Sequence, residues 1–259
     1  MDQQHRPAAE PPSRAGRLVS AATALRDEVA ELRFAPPVTH VYNPLEYAFA
    51  MHQAYLERFG DGPKEVVFFG MNPGPWGMAQ TGIPFGEVGA VRNWLQLDEP
   101  VEPSAERPVQ HPKRPIEGLA CRRSEVSGRR LWGAFQRRFK SPEHFFAHHF
   151  VANYCPLLFI EDSGRNRTPD KLAPAERDAL TAACDRHAAT VIRTLEPRVA
   201  IGIGRYARLR IAAVAEQIAS GGETAPEVAE LLHPSPANPR ANRGWESELE
   251  QRMRALELW

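Results

Sequence analysis

A fully apolar run, Val66-Val67-Phe68-Phe69, leads directly into a glycine- and proline-rich loop at residues 70–86. A short apolar run bounded by turn residues is typical of a strand buried on both faces. Ligands of open α/β sheets bind beyond the carboxyl ends of such strands. An uncharged amide, Asn72, sits just past this strand, and the loop has no lysine. The loop therefore suits a flat, neutral, hydrogen-bonding ring better than a nucleotide phosphate.

Apolar runs and helical periodicities alternate along the rest of the chain. The pattern predicts strands at 65–70, 150–154, 199–203 and 228–232, and helices at 17–33, 44–59, 87–97, 129–139, 174–195, 205–219 and 239–257. Strands that alternate with helices indicate a parallel sheet with helices on both faces. We therefore expect an α/β fold around a four-stranded parallel sheet.

The other segments set the expected limits of the folded part. Residues 1–15 are polar and rich in proline, arginine and glutamine, which predicts a disordered tail. Residues 98–128 contain five prolines and are expected to form a long loop. No repeat or linker divides the remainder, so residues 16–259 are expected to form a single domain.

Composition excludes some classes of protein. The three cysteines are far apart in sequence and cannot supply a four-cysteine metal or cluster site, so they are expected to be reduced thiols. Neither a signal peptide nor an apolar run long enough to cross a membrane is present. We therefore expect an intracellular protein without membrane contact, in the cytoplasm or nucleoid of a bacterium or in the nucleus of a eukaryote.

Net charge is formally zero, with 32 basic and 32 acidic residues, so only the distribution of charge is informative. Residues 107–138 hold nine arginines or lysines against two acids, Glu117 and Glu125, and Arg240 and Arg243 lie near the C-terminus. Such a stretch either follows a phosphate backbone or forms a solvated surface. The sequence alone leaves both interpretations open.

Polar residues end three of the four predicted strands: Asn72, Asn153 and His233. Parallel strands carry their carboxyl ends to one edge of the sheet, so these side chains are expected to converge on one pocket. Asn72 does not titrate, so it either orients a water or ligand, or it stabilises a turn. Asn153 can read the N3–H and O4 of uracil, or it can bridge backbone groups.

Two residues with ring side chains, His233 and Phe85, each have two possible roles. His233, held between a strand and two prolines, either donates a hydrogen bond to a developing oxyanion or bonds only to backbone. Phe85 either stacks on a planar base or packs in the core.

Taken together, these segments resemble the uracil-DNA glycosylase superfamily, and within it the single-strand-selective monofunctional family 3. The similarity runs from about Tyr42 to Trp245. It is carried by residues 70–75 with 85–88, 111–115, 124–128, 153–157, 163–166, 233–236 and 241–245, in this order and spacing. Any one of these motifs is weak, but together they are highly specific.

The resemblance implies a three-layer α/β/α domain with a central parallel sheet and no metal or other cofactor. It assigns Asn72 to positioning the attacking water, His233 to uracil O2, Asn153 to the Watson–Crick edge and Phe85 to stacking. Backbone at Met71 and Gly74 would line the pocket.

The resemblance also implies contacts with DNA through the loop that follows His233, at Ser235, Pro236, Ala237, Arg240 and Arg243. Vertebrate members carry an arginine at the position of Ala237, where the loop wedges into the duplex. Ala237 is a departure that puts the wedge in doubt, and Arg240 or Arg243 are candidates to compensate.

The expected activity is monofunctional release of uracil, and of 5-hydroxymethyluracil, from single- and double-stranded DNA by a monomer. Two alternatives remain: a glycosylase for deaminated purines, and a non-catalytic module that binds single-stranded nucleic acid. A small-molecule α/β hydrolase is disfavoured because the chain has no Gly-x-Ser-x-Gly motif.

Overall fold

A computed structural model describes residues 12–103 and 108–259. Its main sheet has four parallel strands in the order β3-β2-β6-β7, namely β2 (Val66–Gly70), β3 (His149–Asn153), β6 (Val199–Ile203) and β7 (Glu227–Leu231). Every residue of β2, β3 and β6 is buried, as expected for parallel strands with both faces covered. The predicted α/β fold is confirmed, with each strand within one residue of its predicted limits.

The register of the main sheet places the carboxyl ends of neighbouring strands at the same height. Gly70, the last residue of β2, pairs with Asn153, the last residue of β3. On the other side of β2, Val66 pairs with Val199 and the two strands run in the same direction. The polar residues that follow these strands therefore begin from one edge, as the sequence predicts.

Helices form the two outer layers. They are α1 (Arg14–Ala30), α2 (Pro44–Tyr47), α3 (Phe49–Phe59), α4 (Met78–Thr81), α5 (Val88–Ala90), α6 (Val126–Phe139), α7 (Pro142–Phe146), α8 (Pro174–Leu195), α9 (Arg205–Ser220) and α10 (Pro239–Ala255). In one layer α1 packs on α3 and α8, and α8 packs on α9, which lies on β6 and β7. In the other layer α6 contacts both α7 and α10.

A second, antiparallel sheet was not predicted. It has the order β1-β4-β5, with β1 (Val38–Tyr42), β4 (Leu158–Glu161) and β5 (Asn166–Arg167). These strands are short and lack a clear alternation of polar and apolar residues, so their pattern gives little signal. The small sheet places Asn166 and Thr168 beside the carboxyl edge of the main sheet.

Several predicted helices differ from the structure. The predicted helix at 87–97 is one α-helical turn followed by a π-helical turn, Val91–Leu95. The helix predicted at 44–59 is broken at Ala48, and α7 was missed. Helix α1 begins at Arg14, so the last two residues of the predicted tail are helical, and residues 1–11 lie outside the described residues.

The proline-rich segment predicted as a loop is fixed by hydrogen bonds to β1 and to α4, although its residues 104–107 lie outside the described residues. The Tyr42 hydroxyl donates to the Arg114 carbonyl and accepts from the His111 N–H, both at 2.7 Å. The buried Gln80 amide donates to the carbonyls of Pro75 and Pro115, each at 2.9 Å. Thus one side chain ties the loop at 70–86 to the proline-rich segment.

Among the described helices, none is long and apolar enough to cross a membrane.

Candidate active site

A pocket of about 340 Å³ opens at the carboxyl edge of the main sheet. The structure brings the six residues predicted for catalysis and base binding into its lining: Met71, Asn72, Gly74, Phe85, Asn153 and His233. They come from the ends of β2, β3 and β7 and from the loop at 70–86. The volume lies within the range of small-molecule sites.

Gly70 allows the β2 and β3 sides of the pocket to meet. A Cβ atom at Gly70 would lie 2.3 Å from Oδ1 of Asn153 and 2.5 Å from Cε2 of Phe85. Both distances are far inside van der Waals contact, so only glycine allows this packing. The Asn153 amide nitrogen lies 3.1 Å from the sulfur of Met78, a weak acceptor. The pocket therefore holds a nearly buried amide that is only weakly engaged by the protein.

Phe85 is held in a strained conformation. Its φ is 55°, in the left-handed region that non-glycine residues rarely adopt. Its carbonyl accepts from Nε1 of Trp132 at 3.1 Å and from the N–H of Glu87 at 2.7 Å. Such strain persists only where surrounding contacts impose it, and it concentrates at functional sites. The ring is thereby fixed against the pocket, 6.2 Å from the His233 ring between centroids.

Asn72 presents an acceptor. Its Nδ2 donates to the Leu157 carbonyl at 3.1 Å, and more weakly to the Pro73 carbonyl at 3.4 Å. These bonds occupy the amino group and leave Oδ1 to accept a hydrogen bond within the pocket. An amide so held can orient water but cannot take up its proton as a base.

His233 presents a donor. Its Nδ1 accepts a hydrogen bond of 3.1 Å from the backbone N–H of Ser235. Burial lowers the pKa of His233 to about 4, so the ring is neutral at pH 7. Because Nδ1 is an acceptor, the one ring proton is on Nε2. The site thus holds a neutral imidazole whose donor is Nε2.

The loop that carries His233 is braced from α6 and α10. Arg130 on α6 donates to the Pro234 carbonyl at 2.9 Å and to Oδ1 of Asn242 at 2.8 Å. Asn242 donates in turn to the Pro236 carbonyl at 2.8 Å. These contacts fix both the histidine and the following turn.

The five residues expected to contact DNA differ in their surroundings. Ser235 lines the pocket, whereas Pro236 and Ala237 are exposed on the loop beside it. Arg240 is exposed and paired with Glu248 at 2.9 Å, and Arg243 is exposed on α10.

Four cations of the basic stretch at 107–138 have different surroundings. Arg130 is turned inward as the loop brace, and Arg137 is paired with Glu246 at 2.6 Å. Arg114 and Arg123 lie over the ring of Trp76, at 5.2 and 4.5 Å from its centroid. Arg107 lies outside the described residues.

Sequence reasoning missed four polar residues of the pocket lining: Glu125, Ser127, Asn166 and Thr168. Within residues 12–103 and 108–259, Oε2 of Glu125 and Oδ1 of Asn166 are shielded from solvent and have no hydrogen-bond partner. The position of Glu125, one of two acids in a basic stretch, was a usable signal. Asn166 lies on a two-residue strand, and its only signal was its place in the motif at 163–166.

The described residues contain no group of three or more histidine, cysteine, aspartate or glutamate side chains placed to hold a metal ion.

Comparisons with known proteins identify the family of the chain. The sequence model of the uracil DNA glycosylase superfamily matches residues 57–256. The single-strand selective monofunctional uracil DNA glycosylase of Bos taurus is 47% identical over 234 residues, covering 90% of this chain and 84% of that protein. Its counterparts from Mus musculus and Rattus norvegicus are 46% identical over 90% of this chain, and 81% and 82% of their own lengths.

A solved structure shares the fold at low identity. The crystal structure of wild-type SMUG2 from Pedobacter heparinus superposes with a TM-score of 0.63 at 16% identity, over 92% of this chain and 97% of that one. The family match and the relatives together show that the chain belongs to the uracil DNA glycosylase superfamily.

Proposed function

We propose that this protein is a monofunctional DNA glycosylase that hydrolyses the N-glycosidic bond of uracil, and of 5-hydroxymethyluracil, in DNA. One observation carries the proposal: Asn72, Phe85, Asn153 and His233 line a single pocket. Relatives that are 46–47% identical are named as uracil DNA glycosylases, which supports the same activity here.

The target nucleotide must leave the base stack to reach this pocket, at a cost of a few kcal/mol. The extruded ring stacks on Phe85, a contact worth about 1–3 kcal/mol. Asn153 accepts from N3–H and donates to O4 of uracil. Cytosine presents the reverse pattern at these atoms and is rejected.

Bond cleavage relies on stabilising the departing base. The bond between C1′ and N1 breaks, and both of its electrons go to uracil. The negative charge collects on O2, which accepts a hydrogen bond from the Nε2–H of His233. Water held at Asn72 Oδ1 adds to C1′ and gives its proton to solvent, and the uracil anion takes up a proton. Because Asn72 is not a base, most of the acceleration comes from the leaving group.

The products are a free base and an intact strand with an abasic site. Among the described residues, the pocket lining contains no lysine that could form a Schiff base with the sugar. The protein is therefore proposed to act as a monofunctional enzyme in base excision repair.

Both single- and double-stranded DNA are proposed as substrates, bound by a monomer whose single domain includes the whole of α1, from Arg14. Arg114, Arg123 and Arg243 are the proposed phosphate contacts, because phosphate binding is governed by accessible cations. Ala237 supplies no long side chain to fill a duplex, which favours unpaired strands. The proposed place of action is the compartment that holds the DNA, nucleoid or nucleus.

The test is alkali-revealed cleavage of strands containing uracil, 5-hydroxymethyluracil or xanthine, each single-stranded and in a duplex. The wild type is expected to release uracil, and Asn72→Ala to lower the single-turnover rate by about 10²-fold. Release of xanthine in preference to both pyrimidines, or binding of all strands without release of any base, would contradict the proposal.

A further inference from the structure

Trp76 places a large aromatic ring at the rim of the base pocket. It directly follows Pro75, which lines the pocket, and consecutive Cα atoms are about 3.8 Å apart. Three of the five tryptophans are buried in the core, whereas Trp76 and Trp259 are partly exposed. A strand that inserts one nucleotide into the pocket must pass this rim. The chemistry proposed above nevertheless gives Trp76 no role.

Two cations lie over the Trp76 ring and form with it what we call the rim cluster: Trp76, Arg114 and Arg123. The guanidinium carbons are 5.2 and 4.5 Å from the ring centroid, within the range of cation–π attraction. Both arginines start from fixed backbone. The Tyr42 hydroxyl donates to the Arg114 carbonyl at 2.7 Å, and the Cys121 thiol donates weakly to the Arg123 carbonyl at 3.7 Å.

The charge of the rim cluster is not neutralised by the protein. Among the described residues neither guanidinium pairs with a carboxylate, in contrast to Arg137 and Arg240, which pair with acids at 2.6 and 2.9 Å. The two guanidinium carbons are at most about 10 Å apart, the sum of their distances to the ring centroid. This is about one Debye length at 0.1 M salt, so the charges repel. An anion that contacts both would relieve the repulsion, and in DNA that anion is a phosphate.

An aromatic ring beside unpaired cations is the combination by which proteins bind single-stranded nucleic acid. The cations follow the backbone, and each base stacked on an aromatic side chain contributes about 1–3 kcal/mol. In a duplex the bases beside the target remain stacked on their neighbours, so their faces are not free. An unpaired strand offers those faces. The rim cluster therefore fits a nucleotide of an unpaired strand next to the one that enters the pocket.

We propose that the rim cluster is a subsite for the nucleotide adjacent to the extruded one: its base stacks on Trp76, and Arg114 and Arg123 bind its phosphate. This inference rests on the proposed function and adds a contact outside the base pocket. The subsite contributes affinity for the strand and not the chemical step, because it does not contact the departing base.

The first test uses the unaltered protein and single strands in which an abasic spacer replaces the base on the 5′ or the 3′ side of uracil. Single-turnover release over a range of protein concentrations gives the half-saturating concentration and the maximal rate separately. The spacer on one side is expected to raise the half-saturating concentration by at least about fivefold and to leave the maximal rate unchanged. No effect on either side would overturn the inference. Absence of uracil release from the complete strand would instead contradict the proposed function.

The second test assigns the effect to Trp76. Trp76→Leu is expected to raise the half-saturating concentration for the complete strand by the factor that the spacer produces in wild type, and to abolish the further effect of the spacer. Trp76→Phe keeps an aromatic face and should keep the spacer effect. Trp259→Leu is the matched control, because Trp259 is also partly exposed and also carries a guanidinium, that of Arg138, 4.2 Å from its ring centroid.

The third test concerns the phosphate. Arg123→Gln should weaken binding of the complete strand and of the spacer strand equally. It should also reduce the slope of log affinity against log salt concentration by about 0.7, the value for one phosphate contact on a single strand. Arg138→Gln, which removes the cation over Trp259, should leave the slope unchanged. An unchanged slope in Arg123→Gln would overturn the phosphate contact.

A tryptophan that only holds the two arginines predicts a different result. Trp76→Leu would then weaken binding with and without the neighbouring base by the same factor, which overturns stacking. An equal loss on duplex and single strand would contradict the assignment to an unpaired base. If Trp76→Leu does not fold, as judged by its melting curve, indole fluorescence decides. The difference between wild type and Trp76→Phe should show quenching by the complete strand and none by the spacer strand.

Discussion

The backbone N–H of Ser235 lies 3.1 Å from Nδ1 of His233 and donates a hydrogen bond to it. This contact decides which ring nitrogen carries the proton, because a neutral imidazole that accepts at Nδ1 must donate at Nε2. The turn between two prolines thus sets the polarity of the histidine as well as its position.

Removal of the donor should slow base release. We expect His233→Ala to lower the single-turnover rate on uracil by about 10²-fold or more, the scale for loss of one transition-state donor. The exposed His148→Ala serves as control and should retain the wild-type rate. Near-normal release by His233→Ala would exclude the leaving-group role.

The brace between α6 and the histidine loop should matter for rate more than for DNA binding. Arg130→Ala frees the Pro234 carbonyl and Asn242, and we expect the single-turnover rate to fall by about tenfold, since small misplacements of catalytic groups are costly. The exposed neighbour Arg129→Ala should leave this rate unchanged.

A double-mutant cycle checks that Arg130 acts through Asn242. The effects of Arg130→Ala and Asn242→Ala should not add, because the two side chains share one hydrogen bond. Additive losses would mean that the two residues act separately.

Replacement of Asn153, the proposed contact with the Watson–Crick edge, should change which base is released. In Asn153→Asp the group that donated to uracil O4 becomes an acceptor, so uracil release should fall by at least about tenfold. Cytosine release should rise, because its N4 amino group can donate to the carboxylate. The measurement is base release from matched strands that contain either base; unchanged specificity would contradict edge reading by Asn153.

Stability should fall in mild acid. Burial lowers the pKa values of His52, His149, His187 and His233 to about 4, from 6.5 in an exposed histidine. Between these values the unfolded chain binds more protons than the folded one, so stability is full above about pH 6.5 and is lost progressively toward pH 4. The melting temperature at a series of pH values measures this loss.

Glu125 acts in the opposite direction in this range, because its pKa is raised and its protonation favours the fold. Because four histidines lower the stability as the pH falls and only one carboxyl raises it, the stability should still increase with pH between about 4 and 6.5. His187→Leu, which removes a ring whose Nδ1 has no partner among the described residues, should flatten the slope. A melting temperature that is constant from pH 7 to 4 would contradict the assignment.

Most of the main sheet could be predicted from the sequence because β2 and β6 are apolar runs and the centre of β3 is apolar, as is typical of buried parallel strands. Strand β7 is only partly buried and contains Glu227 and Glu230. Asn72, Asn153 and His233 were found by one rule, that polar residues after parallel strands meet at one edge. The small sheet was missed because its strands depend on pairing between distant segments, such as Val38 with Glu161.

Glu125 shows why the pocket could not be predicted in full. Glu125 falls in the segment predicted as a loop, and only the structure reveals that it stands at the start of α6 with its side chain turned toward Gly74 and Gly77. The direction of a long side chain depends on the space its neighbours leave, which spacing along the chain does not encode. For the same reason the sequence did not distinguish Arg130 from the other cations of the basic stretch, although its side chain points inward and donates to the Pro234 carbonyl.

Gln80 has a consequence for how a DNA strand meets the pocket. Its side chain accepts from the Glu117 N–H at 2.8 Å and donates to the Pro115 carbonyl, so two hydrogen bonds join the pocket loop to the segment that carries Arg114. A third, to the Pro75 carbonyl, holds Gln80 within the loop itself. The wall of the pocket and the backbone next to Arg114, a proposed phosphate contact, are therefore held together in the folded protein. The wall becomes ordered when the chain folds, so its conformational entropy is already lost before DNA binds. The pocket is therefore preorganised for its ligand.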